Sequence, residues 1–163
     1  MPDYTIIELI IWDKRLTQLP DDIDKYTHLK KLDCSYNYII TCDNLPASLE
    51  ELNCSFNKIT QLDNLPLNLK ILDCSNNKIT QLDNLPIGLE ILYCSCNKLT
   101  QLDNLPIGLE ILWCHNNNIT QLNNLPSSLY DLLCYNNRFD YKFSPTLENI
   151  RKYNASHSNI PTS

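Results

Sequence analysis

Glycine is almost missing from this chain: there are two in 163 residues. That scarcity excludes the glycine-rich loops that let a backbone close around a phosphate or a dinucleotide. Basic charge is short as well. Thirteen Lys and Arg against 19 Asp and Glu leave a net charge of −6, whereas a nucleic-acid track needs a basic stripe to displace counterions. Long apolar runs are absent too. The N-terminal stretch Ile6-Ile7-Glu8-Leu9-Ile10-Ile11-Trp12 is broken by a carboxylate and is too short to span a bilayer. Asp3 stands where a signal peptide would carry positive charge. The expectations are a cytoplasmic protein with no nucleic-acid partner and no membrane partner. What the chain does contain, 43% apolar and 20% charged residues, is the balance of a domain that folds.

Eight cysteines in such a chain are expected to stay thiols unless their spacing indicates bridges or a metal site. The spacing indicates neither. Cys34, Cys54, Cys74, Cys94, Cys114 and Cys134 follow one another at steps of 20, with Cys42 and Cys96 outside the series. Leu32 to Leu132, Leu29 to Leu129 and Asn37 to Asn137 keep the same step, and proline recurs at 46, 66, 86, 106 and 126. A fixed period of this length marks a solenoid, in which a unit buries its apolar side only against its neighbours.

One unit reads Leu69-x-x-Leu72-x-Cys74-x-x-Asn77-x-Ile79-Thr80-x-Leu82-x-x-Leu85-Pro86, which resembles the leucine-rich repeat with cysteine in the third apolar position. The short period and the Leu-x-x-Leu-Pro linker are most similar to the bacterial effector (LPX) subclass. The wealth of Asn, Ile, Lys and Tyr also resembles leucine-rich-repeat proteins of giant amoebal viruses. The resemblance implies a right-handed solenoid with a parallel β-sheet on the concave face, an extended or polyproline-like convex side, and little or no helix. It further implies a protein-binding module acting on a partner, a host protein among the candidates. Effectors of that subclass often carry a ubiquitin-ligase domain after the repeats; 163 residues leave no room for one, so ligase activity is not expected.

The single domain, residues 1–163, divides into a degenerate N-terminal repeat or cap over 1–28, six regular repeats over 29–139, and a degenerate C-terminal repeat or cap over 140–163. The first unit puts Lys14 in the asparagine column. The last keeps the apolar frame as Ile150-x-x-Tyr153-x-Ala155-x-x-Ser158-x-Ile160. Alternation along each strand points Leu72 and Cys74 inward and Ile71, Asp73 and Ser75 outward. The extended return leg, Thr80 to Pro86, brings Leu82 and Leu85 inward, and the small or turn-tolerant residues Ser48, Asn68, Gly88, Gly108 and Ser128 suit a tight corner. Asn37, Asn57, Asn77, Asn97, Asn117 and Asn137 form a structural ladder, because an amide can satisfy turn donors and acceptors that burial would otherwise leave unpaired.

Function is sought on the outward columns. Asp33, Asn53, Asp73, Tyr93, Trp113 and Leu133 change from acidic to apolar along the chain; beside them run Lys31, Glu51, Ile71, Ile91, Ile111, Asp131, and Ser35, Ser55, Ser75, Ser95, His115, Tyr135. An exposed Trp113 among Tyr93, Leu133, Tyr135, His115, Ile91 and Ile111 is the expected partner-binding patch, since Trp and Tyr are enriched at binding hot spots. The alternatives are a homodimer or virion component that buries this patch against itself, or a thiol or metal role for the cysteine ladder. Side chains stacked in register all point one way and do not converge tetrahedrally, so no metal and no cofactor is expected. His28 and His157 lie too far from His115 to join it, and no nucleophile and base converge. No enzyme activity is expected.

Overall fold

The computed structural model describes residues 2–157. Seven three-residue strands form one parallel sheet in chain order: β1 (Glu8–Ile10), β2 (Lys31–Asp33), β3 (Glu51–Asn53), β4 (Ile71–Asp73), β5 (Ile91–Tyr93), β6 (Ile111–Trp113) and β7 (Asp131–Leu133). The register pairs Leu9 with Leu32, Leu32 with Leu52, and so on to Leu132. Residues one repeat apart are therefore neighbours about 4.8 Å apart. The longer spacing between Leu9 and Leu32 is taken up by a 3-10 turn at Ile23–Lys25, which buries Ile23 and, just after it, Tyr26.

The core is a set of stacked columns. Leu29 to Leu129 lead into each strand and Leu32 to Leu112 sit at the strand centres; Cys34 to Cys134 and Ile39 to Ile119 follow, with Leu99 in the last column, and all are buried. On the return leg Leu62, Leu82, Leu102 and Leu122 are buried, with Cys42 in the same column. Cys42 is thus the first repeat's substitute for leucine.

Two features differ from the sequence reading. The return leg is not continuously extended: Asn44, Asn64, Asn84, Asn104 and Asn124 hold the left-handed conformation at φ 50–57°, which asparagine tolerates better than other non-glycine residues. A second left-handed position follows each strand, at Asp13, Tyr36, Phe56, Asn76, Cys96, Asn116 and Asn136. Gly88 and Gly108, by contrast, have no positive φ, and an added Cβ would meet nothing within 4 Å. The corner at Gly88 is instead closed by the Leu89 amide donating to the Pro86 carbonyl at 3.0 Å.

The second difference lies at the C-terminal end. Where an eighth strand is expected, Leu147–His157 forms α1. Thr146 caps it, its Oγ1 accepting the Asn149 amide at 3.2 Å, and Glu148 pairs with Lys152 at i,i+4. Ile150 is fully buried, Arg151 donates to the carbonyls of Pro126 and Leu129 at 2.8 and 2.9 Å, and Asn154 donates to Leu122 O. Leu147, Ile150, Arg151 and Asn154 fall on one helical face, so the helix covers the end of the core where another repeat would stack. Ser158 and Ile160, read as part of that repeat, lie outside the described residues.

Candidate partner-binding face

The asparagine ladder holds the turns that end each strand. Asn57 Nδ2 donates to Cys34 O of the preceding repeat at 3.0 Å and to Cys54 O and Ser55 O of its own at 3.1 Å, while its Oδ1 accepts the Ile39 amide at 2.9 Å. Asn77, Asn97, Asn117 and Asn137 repeat the pattern. Asn37 reaches back to Ile11 O and accepts the amides of Lys14 and Leu16. Each asparagine serves the repeat before it. The first unit has none before it, so Lys14 can stand in its column.

The cysteines below are core thiols. Burial raises the pKa of Cys74 and Cys94 well above the usual thiol value and pushes that of Cys134 up to about 11. Among the described residues no three His, Cys, Asp or Glu side chains gather as a metal site requires. Cys96 alone of the eight is half-buried, its sulfur accepting from Asn116 Nδ2 at 3.5 Å.

On the concave face two columns stand side by side. One carries Glu8, Lys31, Glu51, Ile71, Ile91, Ile111 and Asp131; the other carries Ile10, Asp33, Asn53, Asp73, Tyr93, Trp113 and Leu133. The structure brings most of the expected patch together. The Tyr93 and Trp113 rings lie 4.6 Å apart at 48°, with Ile91 and Ile111 paired beside them and Leu133 next in register. Trp113 is half-buried, not exposed, because Tyr93 and Leu133 flank it and its Nε1 donates to Asp131 Oδ2 at 3.1 Å. Its ring still belongs to the concave surface, while Leu112 and Cys114 on either side point into the core.

The serine column is corrected by the structure. Ser35, Ser55, Ser75 and Ser95 are buried, not outward, because the chain turns immediately after each cysteine. Ser35 Oγ donates to Asp33 Oδ1 at 2.6 Å and Ser55 Oγ to Asn53 Oδ1 at 2.7 Å, so the acidic column also pins these turns. His115 and Tyr135 are too large for that arrangement. Their rings stack at 4.5 Å and 17°, leaving Tyr135 half exposed at the rim. His115 Nδ1 is buried without a hydrogen-bond partner among the described residues, and burial lowers the pKa of the ring.

Two features were missed from sequence. Asp131 orients Trp113, and only the register shows that it can. Leu67, Ile87 and Ile107, each following the repeat's proline in the turn that leads into a strand, are 76–82% exposed and form an apolar column; their column position was the available signal.

A parallel sheet of in-register three-residue strands, one leucine-centred strand per turn, decides the fold. It is a leucine-rich-repeat solenoid. The family model "Leucine Rich repeats (2 copies)" matches residues 47–87. The leucine-rich-repeat domain of a Shigella effector is 27% identical with a TM-score of 0.78, covering 83% of this chain and 61% of that one. YopM from Yersinia pestis, a leucine-rich effector protein, is 32% identical with a TM-score of 0.80 over 83% of this chain and 38% of YopM. The functional domain of InlJ from Listeria monocytogenes, which includes a cysteine ladder, is 32% identical with a TM-score of 0.65 over 81% of this chain and 33% of that one. The chain therefore spans less than two thirds of the length of each of these structures. No curated protein matches it. Among the described residues no helix is long and apolar enough to cross a membrane.

Proposed function

We propose that this chain is a protein-interaction module that grips a partner, a host protein being the candidate, through its concave sheet, without cofactor or catalysis. The contact surface is Tyr93, Trp113, Leu133, His115, Tyr135, Ile91 and Ile111. One observation carries the reading: Tyr93 and Trp113 meet at 4.6 Å on the open side of the sheet, and Asp131 fixes the indole in place. A pre-set aromatic platform loses little side-chain freedom on binding. The Leu-x-x-Leu-Pro linker and the effector neighbours support placing the chain in the effector subclass, with the giant-virus resemblance as a second source. Eight free thiols support a reducing cytoplasm as its site of action.

The test is Trp113→Ala and Tyr93→Ala in affinity capture from host lysate. Loss of the captured partner with an unchanged melting curve is expected, since hot-spot truncation costs about 2 kcal/mol or more, roughly thirtyfold in affinity. Undiminished capture refutes the assignment. Self-association is the second reading, favoured by the exposed Leu67, Ile87 and Ile107 stripe. Light scattering should then show a dimer that Ile87→Asp dissolves; a monomer at every concentration excludes it.

A further inference from the structure

We infer that the segment held by the concave face is extended and carries a lysine or arginine four residues from an aromatic or large aliphatic anchor. The anchor sits on Tyr93 and Trp113, and the cation sits between Asp33 and Asp73. This rests on the concave face being the binding surface and adds the chemistry of what binds there.

The charge on the face is unbalanced. Glu8, Asp33, Glu51, Asp73 and Asp131 line it against Lys31. Lys31 is taken by Glu51 at 2.8 Å, and Asp131 is taken by the Trp113 indole. Glu8 on the end strand, Asp33 and Asp73 remain, and of these Asp33 and Asp73 stand in the column that leads to Tyr93. Asp33 uses Oδ1 for the Ser35 amide and hydroxyl, and Asp73 uses Oδ1 for the Ser75 amide at 3.0 Å. Neither carboxylate is paired with a cation among the described residues. Both carboxylates border a groove of about 320 Å³ that Tyr93 also lines, so the groove runs directly into the aromatic platform. Burial raises the Asp73 pKa, with Asp33 adding to it, the sign of a carboxylate short of a cation.

The strand spacing sets the geometry. Asn53 in β3, midway between the two aspartates, is two to three strands from the Tyr93–Trp113 pair, about 12 Å at 4.8 Å per strand. An extended segment laid across the strands advances about 3.3 Å per residue, and residues four apart point to the same side. Position i and position i+4 therefore reach the acidic groove and the aromatic platform together. A phosphate-bearing partner would meet the same carboxylates with repulsion.

The structure also supplies a clean variant. Asn53 Oδ1 already accepts the Ser55 amide and hydroxyl as Asp33 does for Ser35, so Asp33→Asn with Asp73→Asn keeps the turns and removes only charge. A phage-displayed random dodecapeptide library is selected against the full chain, the double Asn variant and Trp113→Ala, each checked by its melting curve. The wild type should enrich a cation four residues from an apolar anchor. The double variant should keep the anchor and lose the cation. A synthetic peptide with the enriched pattern should bind the double variant about tenfold more weakly, and only its wild-type affinity should fall steeply with salt. Anchored peptides without the cation, or a cation preference that survives in the double variant, overturn the inference while the binding face stands. A selection yielding no Trp113-dependent peptide overturns both.

Discussion

Asn97→Ala measures what the asparagine ladder contributes. The Asn97 amide is buried; its Nδ2 donates to Cys74 O, Cys94 O and Ser95 O at 3.0–3.2 Å, and its Oδ1 accepts the Ile79 amide at 3.0 Å. The acceptors have substitutes: Asn77 also donates to Cys74 O, Asn117 to Cys94 O, and the Asn76 amide to Ser95 O. The Ile79 amide has none. Alanine therefore orphans one buried donor, at about 1–3 kcal/mol, and removes three supplementary bonds at roughly half a kcal/mol each. The sum is about 3 kcal/mol, a large share of the roughly 5–15 kcal/mol that holds a domain together. Thermal unfolding followed by circular dichroism should show a midpoint roughly 6–12 °C lower. Asn118→Ala is the control, because the Asn118 side chain makes no hydrogen bond among the described residues, and its loss should cost under about half a kcal/mol. If Asn97→Ala and Asn118→Ala melt together, the ladder is decoration and the argument from buried donors is wrong.

Two further predictions follow from the buried groups. With an aromatic disulfide reagent at pH 8, one thiol should react quickly in the native protein and all eight after unfolding; Cys96→Ser should remove the fast phase, and rapid labelling of several thiols would contradict a closed ladder. His115 has its folded pKa below the unfolded value because burial penalises the imidazolium. The unfolded chain then binds more protons, so stability is full above the unfolded pKa of about 6.5 and declines as pH falls below it. His115→Gln should flatten that decline, and proton NMR should find His115 titrating at lower pH than a free imidazole. A normal titration would mean that the ring is not held against Tyr135 as the structure has it.

Some of this was open to reading and some was not. The columns of Leu72, Cys74 and Asn77 were legible because the period of 20 leaves one way to superimpose them, and stacking turns sequence repetition into spatial adjacency. Ser75 was misread as outward because alternation holds only while the strand lasts, and β4 ends at Asp73. The C-terminal helix was misread because Ile150 and Tyr153 fit the repeat frame. The competing signals were Pro145, the Thr146 cap and the Glu148–Lys152 pair, all local to that segment. Asp131 was visible as a residue but not as the acceptor for Trp113, since that bond joins side chains 18 positions apart.

By itself the order of amino acids determined the solenoid, its register and which residues share a column, because in-register stacking needs nothing beyond a constant repeat length. Tertiary structure alone decided how far Trp113 sinks between its neighbours, that the serines turn inward, that a helix closes the C-terminal end, and that Asp33 and Asp73 are left without a cation. Those outcomes depend on where each chain turn bends and on which side chains meet across strands. A column pattern records neighbours but not angles.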